Sequence, residues 1–495
     1  MSRPFRFAAA GIVVAACGVL AGCVPGERMH FEQVPAVIAK DFVYFDTDRD
    51  GLLDFRFVRP AQGHRLDELA YDDNEDGTPD RRFRLSDYHN DSVPHLIVLI
   101  DSIPFEALRQ RFERDEFTVL RAFHEPTKLI APFPSMSALC FSSILHAPPM
   151  PGPINRSFDP RPQTNSVNNL ITKRLNGHRN PWQQRLHYNI DYRDNGTAFL
   201  KPRPWMKVEF ERARRAFDAS PDRTTIVFIS SSAAMMMKYG ERGLEECLDG
   251  LETFVTQVLY ERRGAVKISI LSDHGHNVMQ TTWIDVEQTL ADAGFRVAKK
   301  LEQPNDVFVE MDGLLTYFGV HTQQPAAVGD ALLNGLPEIE TVSYVDGYDV
   351  VVRSHAGAAR VSRDAGRRFT YTPETADVLG YGEGLSGKPL DADGWFAQTV
   401  DHEFPDGPTR LWEAFHGRTQ QTPQVMVTVK DGYCAGIEWF QWFVKMRSSH
   451  GGLNQVNSAA VLLTMRGPTP PAMRSGGVMQ AIQPGYVPRI VSPGK

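Results

Sequence analysis

The sequence "VKISILSDHGHNV", residues 266–278, decides the fold of this chain. Its first half is mostly apolar and β-branched, which is typical of a strand covered on both faces. The strand then continues directly into Asp273, His274, a glycine and His276, and these side chains do not fill a core. The segment is therefore either an ordinary polar turn or a strand that holds ligands over a crevice.

The same strand-then-helix pattern recurs from residue 94 onward. "PHLIVLID" is a buried strand that ends at Asp101, and a helical stretch follows at 105–114. "TTIVFISSS" is another strand, and residues 243–262 place apolar side chains on one helical face. "QVMVTVKDG" and "NSAAVLLTM" indicate further strands. This alternation predicts an α/β fold with a mostly parallel sheet and helices on both faces.

Polar side chains collect where the predicted strands end. Asp101 and the pair Asp273–His274 each follow a strand, and His450 precedes the last one. In open parallel sheets, function gathers at the carboxyl ends of the strands. Two aspartates and two histidines converging there predict a divalent-metal site, of the mixed oxygen and nitrogen kind that Zn²⁺ takes. The local alternatives are a helix cap for Asp101 and a flexible turn for His450.

These motifs resemble, in their order along the chain, the alkaline phosphatase superfamily and within it the nucleotide pyrophosphatase/phosphodiesterase branch. "VLID", "SDHG" and the final His-Gly match the metal ligands of that branch. "PFPSMSALCFSSIL" aligns Ser137 with the Thr nucleophile that opens a helix, and "GPINRSFDP" aligns Asn155 with an Asn that binds phosphoryl oxygens. The resemblance covers residues 95 to 465, roughly. It implies an alkaline-phosphatase-like fold in which Ser137 and Asn155 are catalytic and a metal is bound by Asp101, Asp273, His274 and His450.

Local roles remain open for the two catalytic candidates. Ser137 precedes a helical stretch and is also a good helix cap. Asn155 lies in a segment with prolines and glycine, where asparagine is a common turn residue.

The chain departs from that branch at the second metal site. The family uses Asp-x-x-x-His followed by Lys-Tyr-Gly, whereas "FISSSAAMMMKYGERG" puts Ala233 and Met237 at the two ligand positions. Alanine offers no ligand atom, and a thioether is a poor ligand for Zn²⁺. One ion is therefore expected, and a second only if another side chain, such as His276, compensates.

Two functions fit this pattern. The first is a membrane-anchored, metal-dependent phosphoesterase with a Ser nucleophile, acting on a phosphorylated small molecule or a phosphodiester. The alternative is a catalytically inactive member of the same fold that serves as a lipid-anchored binding protein. The matched positions favour the enzyme, and the two lost ligands favour the binding protein.

Two acidic segments, residues 45–57 and 71–83, align without gaps. Carboxylates or amides at loop positions 1, 3, 5 and 9, with glycine at position 6, are the hard oxygen ligands and tight turn that Ca²⁺ needs. The segments resemble the calcium loops of dockerin and thrombospondin type 3 repeats, but Phe57 and Phe83 replace the bidentate Glu of an EF-hand. They predict weak calcium sites, the alternative being solvated acidic turns. The ligands would be Asp46, Asp48, Asp50, Asp54, Asp72, Asn74, Asp76 and Asp80.

The N-terminal segment indicates export. Arg3 and Arg6 precede an apolar run that is short for a membrane span and ends in Leu-Ala-Gly-Cys23. This ending resembles the lipobox of bacterial lipoproteins, which predicts cleavage before Cys23 and attachment of lipid to its thiol. The resemblance implies a protein of the bacterial cell envelope, anchored in the outer membrane and facing the periplasm. The alternative is a plain secretory signal.

Composition and charge narrow the remaining choices. The chain has 495 residues, of which 42% are hydrophobic and 23% charged, as in soluble globular proteins. A net charge of -7 gives no reason to expect nucleic acid. The few cysteines exclude a disulfide framework. The expected organisation is a signal peptide at 1–22, the calcium-type segment at 23–90, an α/β domain at 91–475 with insertions near 148–206 and 355–425, and a tail at 476–495.

Overall fold

A computed structural model describes residues 37–38, 42–47, 51–58, 65–154, 158, 179–311, 313–437 and 446–491. The described strands are β1 Val37–Ile38, β2 Phe42–Phe45, β3 Phe55–Val58, β4 Glu68–Tyr71, β5 Arg81–Arg84, β6 His95–Ile100, β7 Thr127–Ile130, β8 Thr224–Ile229, β9 Lys267–Ser272, β10 Thr282–Trp283, β11 Arg296–Val297, β12 Asp306–Glu310, β13 Leu314–Leu315, β14 Tyr317–Thr322, β15 Ile339–Asp346, β16 Asp349–Ser354, β17 Gly357–Arg363, β18 Phe369–Pro373, β19 Val425–Val429, β20 Tyr433–Gly436, β21 Ala459–Thr464 and β22 Ala472–Arg474.

The described α-helices are α1 Phe105–Glu113, α2 Ser137–Ile144, α3 Tyr192–Leu200, α4 Pro202–Ala219, α5 Ser231–Tyr239, α6 Glu241–Glu261, α7 Val286–Asp292, α8 Pro325–Gly335, α9 Gly382–Leu385, α10 Ala392–Thr399, α11 Gly407–Phe415, α12 Gln455–Ser458 and α13 Val478–Ile482. None of these helices is long and apolar enough to cross a membrane.

A six-stranded sheet carries the motifs found in the sequence. Its strand order is β22-β7-β21-β9-β6-β8. β6 pairs in parallel with both β8 and β9, and β22 pairs in parallel with β7. β21 is antiparallel to β9 and β7, so the other five strands share one direction. The mostly parallel sheet predicted from the sequence is therefore confirmed.

Helices cover both faces of this sheet, as the alternation of side chains along β6 shows. Leu96, Val98 and Ile100 pack into a core with α1, α4 and α6. Ile97 and Leu99 point to the other face and pack with α2 and α13. Because neighbouring strand residues face opposite ways, a strand that is apolar throughout must be covered on both sides. This arrangement confirms the α/β fold class.

A second, eight-stranded sheet lies beyond β9 in the sequence. Its strand order is β11-β12-β14-β19-β15-β16-β17-β18, and all its pairings except β11 with β12 are antiparallel. The range 355–425, expected to be an insertion or long loops, contains β17, β18 and α9 to α11 of this region. This sheet was not expected from the sequence, because β19 at its centre pairs with β14 and β15, which lie far from it along the chain.

The N-terminal strands β1 to β5 form an antiparallel sheet in chain order. Phe55 and Tyr71 of this sheet lie against Tyr260 of α6, with ring centroids 5.0 and 5.4 Å away. The Tyr71 hydroxyl also donates a hydrogen bond of 2.6 Å to the Tyr260 carbonyl. This small sheet therefore shares one hydrophobic core with the six-stranded sheet.

Candidate metal centre and nucleophile

The register of two parallel strands brings Asp101 and Asp273 together. Ile100 of β6 is paired with Ser272 of β9, so the next residue of each strand emerges side by side at the carboxyl edge. Both aspartates are buried, and with His274 they offer ligand atoms that all lie within 4.8 Å of one another. The structure thus brings together three of the four expected ligands, Asp101, Asp273 and His274.

A turn with strained backbone at Ser102 holds the carboxylates of Asp101 and Asp273 in position. Ser102 has a positive φ of 69°, which costs a non-glycine residue on the order of 1 kcal/mol. Its backbone N–H donates to Asp273 Oδ1 at 2.9 Å, and its hydroxyl donates to Asp101 Oδ1 at 2.7 Å. One residue therefore bonds both carboxylates, which explains why the strained backbone is retained.

The imidazole of His274 presents its Nε2 atom to the carboxylates. Nδ1 lies 2.9 Å from the Gly275 carbonyl, which only accepts, so Nδ1 carries the proton and Nε2 is left as a lone pair. Nε2 lies 3.1 Å from Asp273 Oδ2 and 4.0 Å from Asp101 Oδ1. Burial lowers the pKa of His274 to about 4, so the ring is neutral at neutral pH.

Ser137 lies at the same point, at the first turn of α2. Its hydroxyl is 3.1 Å from His274 Nε2, and because Nε2 is unprotonated the hydroxyl donates. The start of a helix carries a partial positive charge that favours anions. A hydroxyl beside two carboxylates, a histidine lone pair and a helix N-terminus is where a metal-activated nucleophile is expected.

The electrostatics of this cluster fit a divalent cation. Burial, and then the charge of Asp273, raises the pKa of Asp101 well above its usual value, and burial raises that of Asp273 to about 7. No arginine or lysine among the described residues makes an ion pair with either carboxylate. Asp273 Oδ2 accepts no hydrogen bond from the described part of the chain. Two buried carboxylates and a neutral imidazole nitrogen without a cation repel one another, so the donor set suits a Zn²⁺-type ion.

His450 lies next to this group and not within it. Its ring stacks on that of His274, with centroids 4.0 Å apart and planes 17° from parallel. His450 Nδ1 donates to the Ser135 carbonyl at 3.1 Å, which leaves Nε2 as the remaining ligand atom. His276 stands perpendicular to His450, with centroids 5.3 Å apart. Burial lowers the pKa of both His450 and His276 well below the usual value, so both rings are neutral.

Asn277 fixes the loop that carries His450, and sequence reasoning missed it. Its side-chain oxygen accepts from the Ser449 N–H at 2.7 Å, and its amide donates to Asp431 at 2.8 Å. Its position directly after the DHGH run was the available signal. Gly275 allows α12 to pack closely against the chain at this point, because a Cβ at residue 275 would lie 2.0 Å from the Val456 carbonyl oxygen.

The two positions at which the resemblance expects a second pair of ligands lie on α5. Ala233 is buried in α5, and Met237 packs against an apolar cluster that includes Cys434 and Met446. Neither residue can supply the oxygen or nitrogen ligand of the family pattern.

A buried carboxylate near α5 was also missed. Glu209 of α4 accepts from the N–H groups of Ser230 at 3.1 Å and Ser231 at 2.7 Å, at the start of α5. Its charge adds to the effects that raise the pKa of Asp101, after burial and Asp273. In the sequence, the available indication of this buried carboxylate was a glutamate four residues after Trp205, on the buried face of α4.

The two acidic loops join β2 to β3 and β4 to β5, and they close with matching hydrogen bonds. Asp46 accepts from the Gly51 N–H at 3.0 Å, and Asp72 accepts from the Gly77 N–H at 2.8 Å. At loop position 9, Asp54 and Asp80 each accept from the N–H at loop position 2, at 3.0 and 2.9 Å. The described parts of the two loops thus share the same hydrogen bonds at loop positions 1, 2, 6 and 9, and calcium binding stays a prediction. Asp48, Asp50, Asn155 and Cys23 lie outside the described residues.

Comparisons with known proteins give remote likenesses only. No protein-family profile and no curated protein sequence matches this chain. The human ectonucleotide pyrophosphatase/phosphodiesterase 5 structure is similar at 12% identity and a TM-score of 0.44, over 81% of this chain and 97% of that chain. Phosphonoacetate hydrolase from Sinorhizobium meliloti 1021, in complex with phosphonoformate, is similar at 11% identity and a TM-score of 0.42, over 84% and 98%. Likeness at this level establishes neither a family nor an activity.

Proposed function

We propose that this protein is a metal-dependent phosphoesterase that uses Ser137 as its nucleophile. The observation that supports the proposal most is the hydroxyl of Ser137, 3.1 Å from His274 Nε2 and beside two buried carboxylates that lack a basic partner among the described residues. A serine with a purely structural role in the core does not require a helix N-terminus and three potential metal ligands around it.

Asp101, Asp273 and His274 would hold a divalent ion, of which zinc suits the donor set best. When bound, the ion supplies Lewis acidity, which lowers the pKa of a nearby hydroxyl and offsets phosphoryl charge. The Ser137 hydroxyl proton would pass to water, and Oγ would form a bond to phosphorus as the bond to the leaving oxygen breaks. The leaving group would take up a proton from water and depart, while the phosphoryl group, with any second ester group still attached, stays on the serine. Water would then attack this phosphorus, and the Ser137 oxygen would depart and regain its proton. Asn155 is predicted to bind the phosphoryl oxygens.

The substrate class follows from the second ligand pair. With Ala233 and Met237, the chain lacks two ligands of the second ion, which would stabilise the leaving oxygen. This stabilisation is therefore weaker, and substrates with good leaving groups are favoured. Activated phosphodiesters and pyrophosphates therefore fit better than simple monoesters.

The test is hydrolysis of an activated aryl phosphodiester by the wild-type protein, with zinc and with chelator. Ser137→Ala should abolish the zinc-dependent rate. Ser142→Ala is the matched control, because Ser142 lies on the same helix and its hydroxyl bonds only its own helix, to the Ala138 carbonyl at 2.7 Å. A zinc-independent rate, or full activity in Ser137→Ala, would contradict the proposal.

A non-catalytic binding protein is the second candidate, and the loss of ligands at Ala233 and Met237 favours it. Such a protein would bind a phosphorylated ligand without turning it over. Metal and phosphate analogue binding with no hydrolysis of several activated esters would support this candidate over the enzyme.

Anchoring to the bacterial envelope is part of the proposal and rests on the sequence ending in Cys23. Lipid on that thiol would hold the protein at the outer membrane, facing the periplasm. Cys23→Ser should release the protein from the membrane fraction, and an unchanged distribution would refute the anchor.

A further inference from the structure

His276 is a buried histidine without a visible purpose in the fold. Its side chain is 1% exposed, and neither ring nitrogen has a hydrogen-bond partner among the described residues. Buried polar groups in native proteins are almost always paired, so an unpaired imidazole demands an explanation.

His95 shows what a structural histidine looks like in this molecule. It is also 1% exposed, but its Nδ1 lies 3.0 Å from the Gln483 amide oxygen and its Nε2 lies 2.8 Å from the Ser269 hydroxyl. Both nitrogens are therefore satisfied inside the core. His276 has the same burial and none of this compensation among the described residues, as expected of a ring whose partner is a bound ligand.

His450 stands against His276 with one nitrogen to spare. The two rings are perpendicular, with centroids 5.3 Å apart, and His450 Nδ1 is committed to the Ser135 carbonyl at 3.1 Å. His450 also stacks on His274 at 4.0 Å, so it lies against rings on both sides of Gly275. The pair His276 and His450 thus borders the first candidate centre.

We propose that His276 and His450 together bind a second divalent cation, in place of the ligands lost at Ala233 and Met237. This inference rests on the proposed function, because the second ion would serve the same reaction. Two neutral imidazoles are ligands for Zn²⁺ and similar borderline ions. Water, or an oxygen of a phosphoryl ligand, would complete the coordination. With only two protein ligands, the second ion should be bound more weakly than the first.

The test counts metal on the full protein. Zinc is removed with chelator, added back in increments and measured per chain after equilibrium dialysis. Wild-type protein should take up two equivalents, the second at higher zinc concentration than the first. His276→Gln and His450→Gln should each lose the second equivalent and keep the first. The matched control His95→Gln removes a histidine of equal burial and should keep both.

A zinc-edge anomalous map of wild-type crystals checks the site without any substitution, and so decides the matter if a variant does not fold. Density between His276 and His450 supports the inference. Saturation at one equivalent, a His276→Gln variant that still binds two, or a second ion located elsewhere would overturn it. These results leave the phosphoesterase proposal standing, since that proposal fails only if the first equivalent or the Ser137-dependent hydrolysis is missing.

Discussion

The two halves of the candidate centre are built in different ways. Asp101, Asp273 and His274 follow neighbouring parallel strands, and the paired register of β6 and β9 sets their spacing. His450 comes from a loop that is held by several separate elements. Its carbonyl accepts from the Thr316 N–H at 2.9 Å, and the preceding Ser449 hydroxyl donates to the Leu314 carbonyl at 3.1 Å.

This difference explains which half tolerates change. In the first half, a ligand cannot move without disturbing a sheet ladder whose hydrogen bonds span the core. In the second half, His450 lies on a loop and the positions Ala233 and Met237 lie on α5. Ala233 is buried and Met237 packs against an apolar cluster, so neither side chain needs a metal to be accommodated. The first half should therefore dominate the energetics of metal binding, and the second should tune it.

The largest effect is expected from Asp273→Asn. The carboxamide keeps the shape but loses the charge, so the first ion should be lost together with at least a thousandfold of the hydrolytic rate, equivalent to about 4 kcal/mol of transition-state stabilisation. Metal content and rate are measured on the same preparation. If the variant binds zinc as tightly as the wild-type protein, the division into a strong and a weak half is wrong.

A large gain is expected from restoring the missing ligands. Ala233→Asp with Met237→His adds two metal-binding side chains at the positions where the resemblance expects ligands, and it should tighten binding of the second ion. Better stabilisation of the leaving oxygen should then raise the rate about a hundredfold, or about 3 kcal/mol. The check is hydrolysis of the aryl phosphodiester with zinc counted in parallel. A folded double variant with unchanged zinc affinity would show that these two positions do not face the centre.

The metal-free protein should lose stability as pH rises from about 4 to 7. The pKa of Asp273 is raised from 3.8 to about 7 by burial, so the folded state binds more protons than the unfolded state in this window. Stability then falls with rising pH, by at most about 1.4 kcal/mol per pH unit for one such group. Chemical denaturation is followed against pH with and without zinc.

Asp273→Asn provides the reference for that measurement, since the pKa of Glu340 is also raised to about 7 by burial and contributes to any total. The difference between wild type and variant reports Asp273 together with its effect on the pKa of Asp101. An equal pH dependence in both proteins would mean that the buried carboxylate is not the cause.

The smallest effect is expected at the acidic loops, which join β2 to β3 and β4 to β5. Calcium should raise the melting temperature by a few degrees, because binding to the folded state alone stabilises it. Asp50→Ala with Asp76→Ala should remove this increase, whereas Asp87→Ala, an acidic residue outside the two loops, should not. Identical melting curves in calcium and in chelator would leave the loops as acidic turns.

The strands that run up to Asp101 and Asp273 could be predicted from the sequence, because a buried strand is a pattern of neighbouring residues. The helix at Ser137 and the missing ligands at Ala233 and Met237 were expected only from the resemblance to a known family. The parallel order of the central sheet followed from the strand–helix alternation.

Only the tertiary structure decided how these segments meet. Asn277, Glu209 and the Ser102 turn act on residues far away in the sequence, so no local pattern identifies their role. The eight-stranded sheet likewise depends on pairings such as β14 with β19, which join residues about a hundred positions apart. His276 is the clearest case, since its sequence position shows only a histidine in a loop. Its burial against His450, without a hydrogen-bond partner in the described part of the chain, is a property of the packed chain alone.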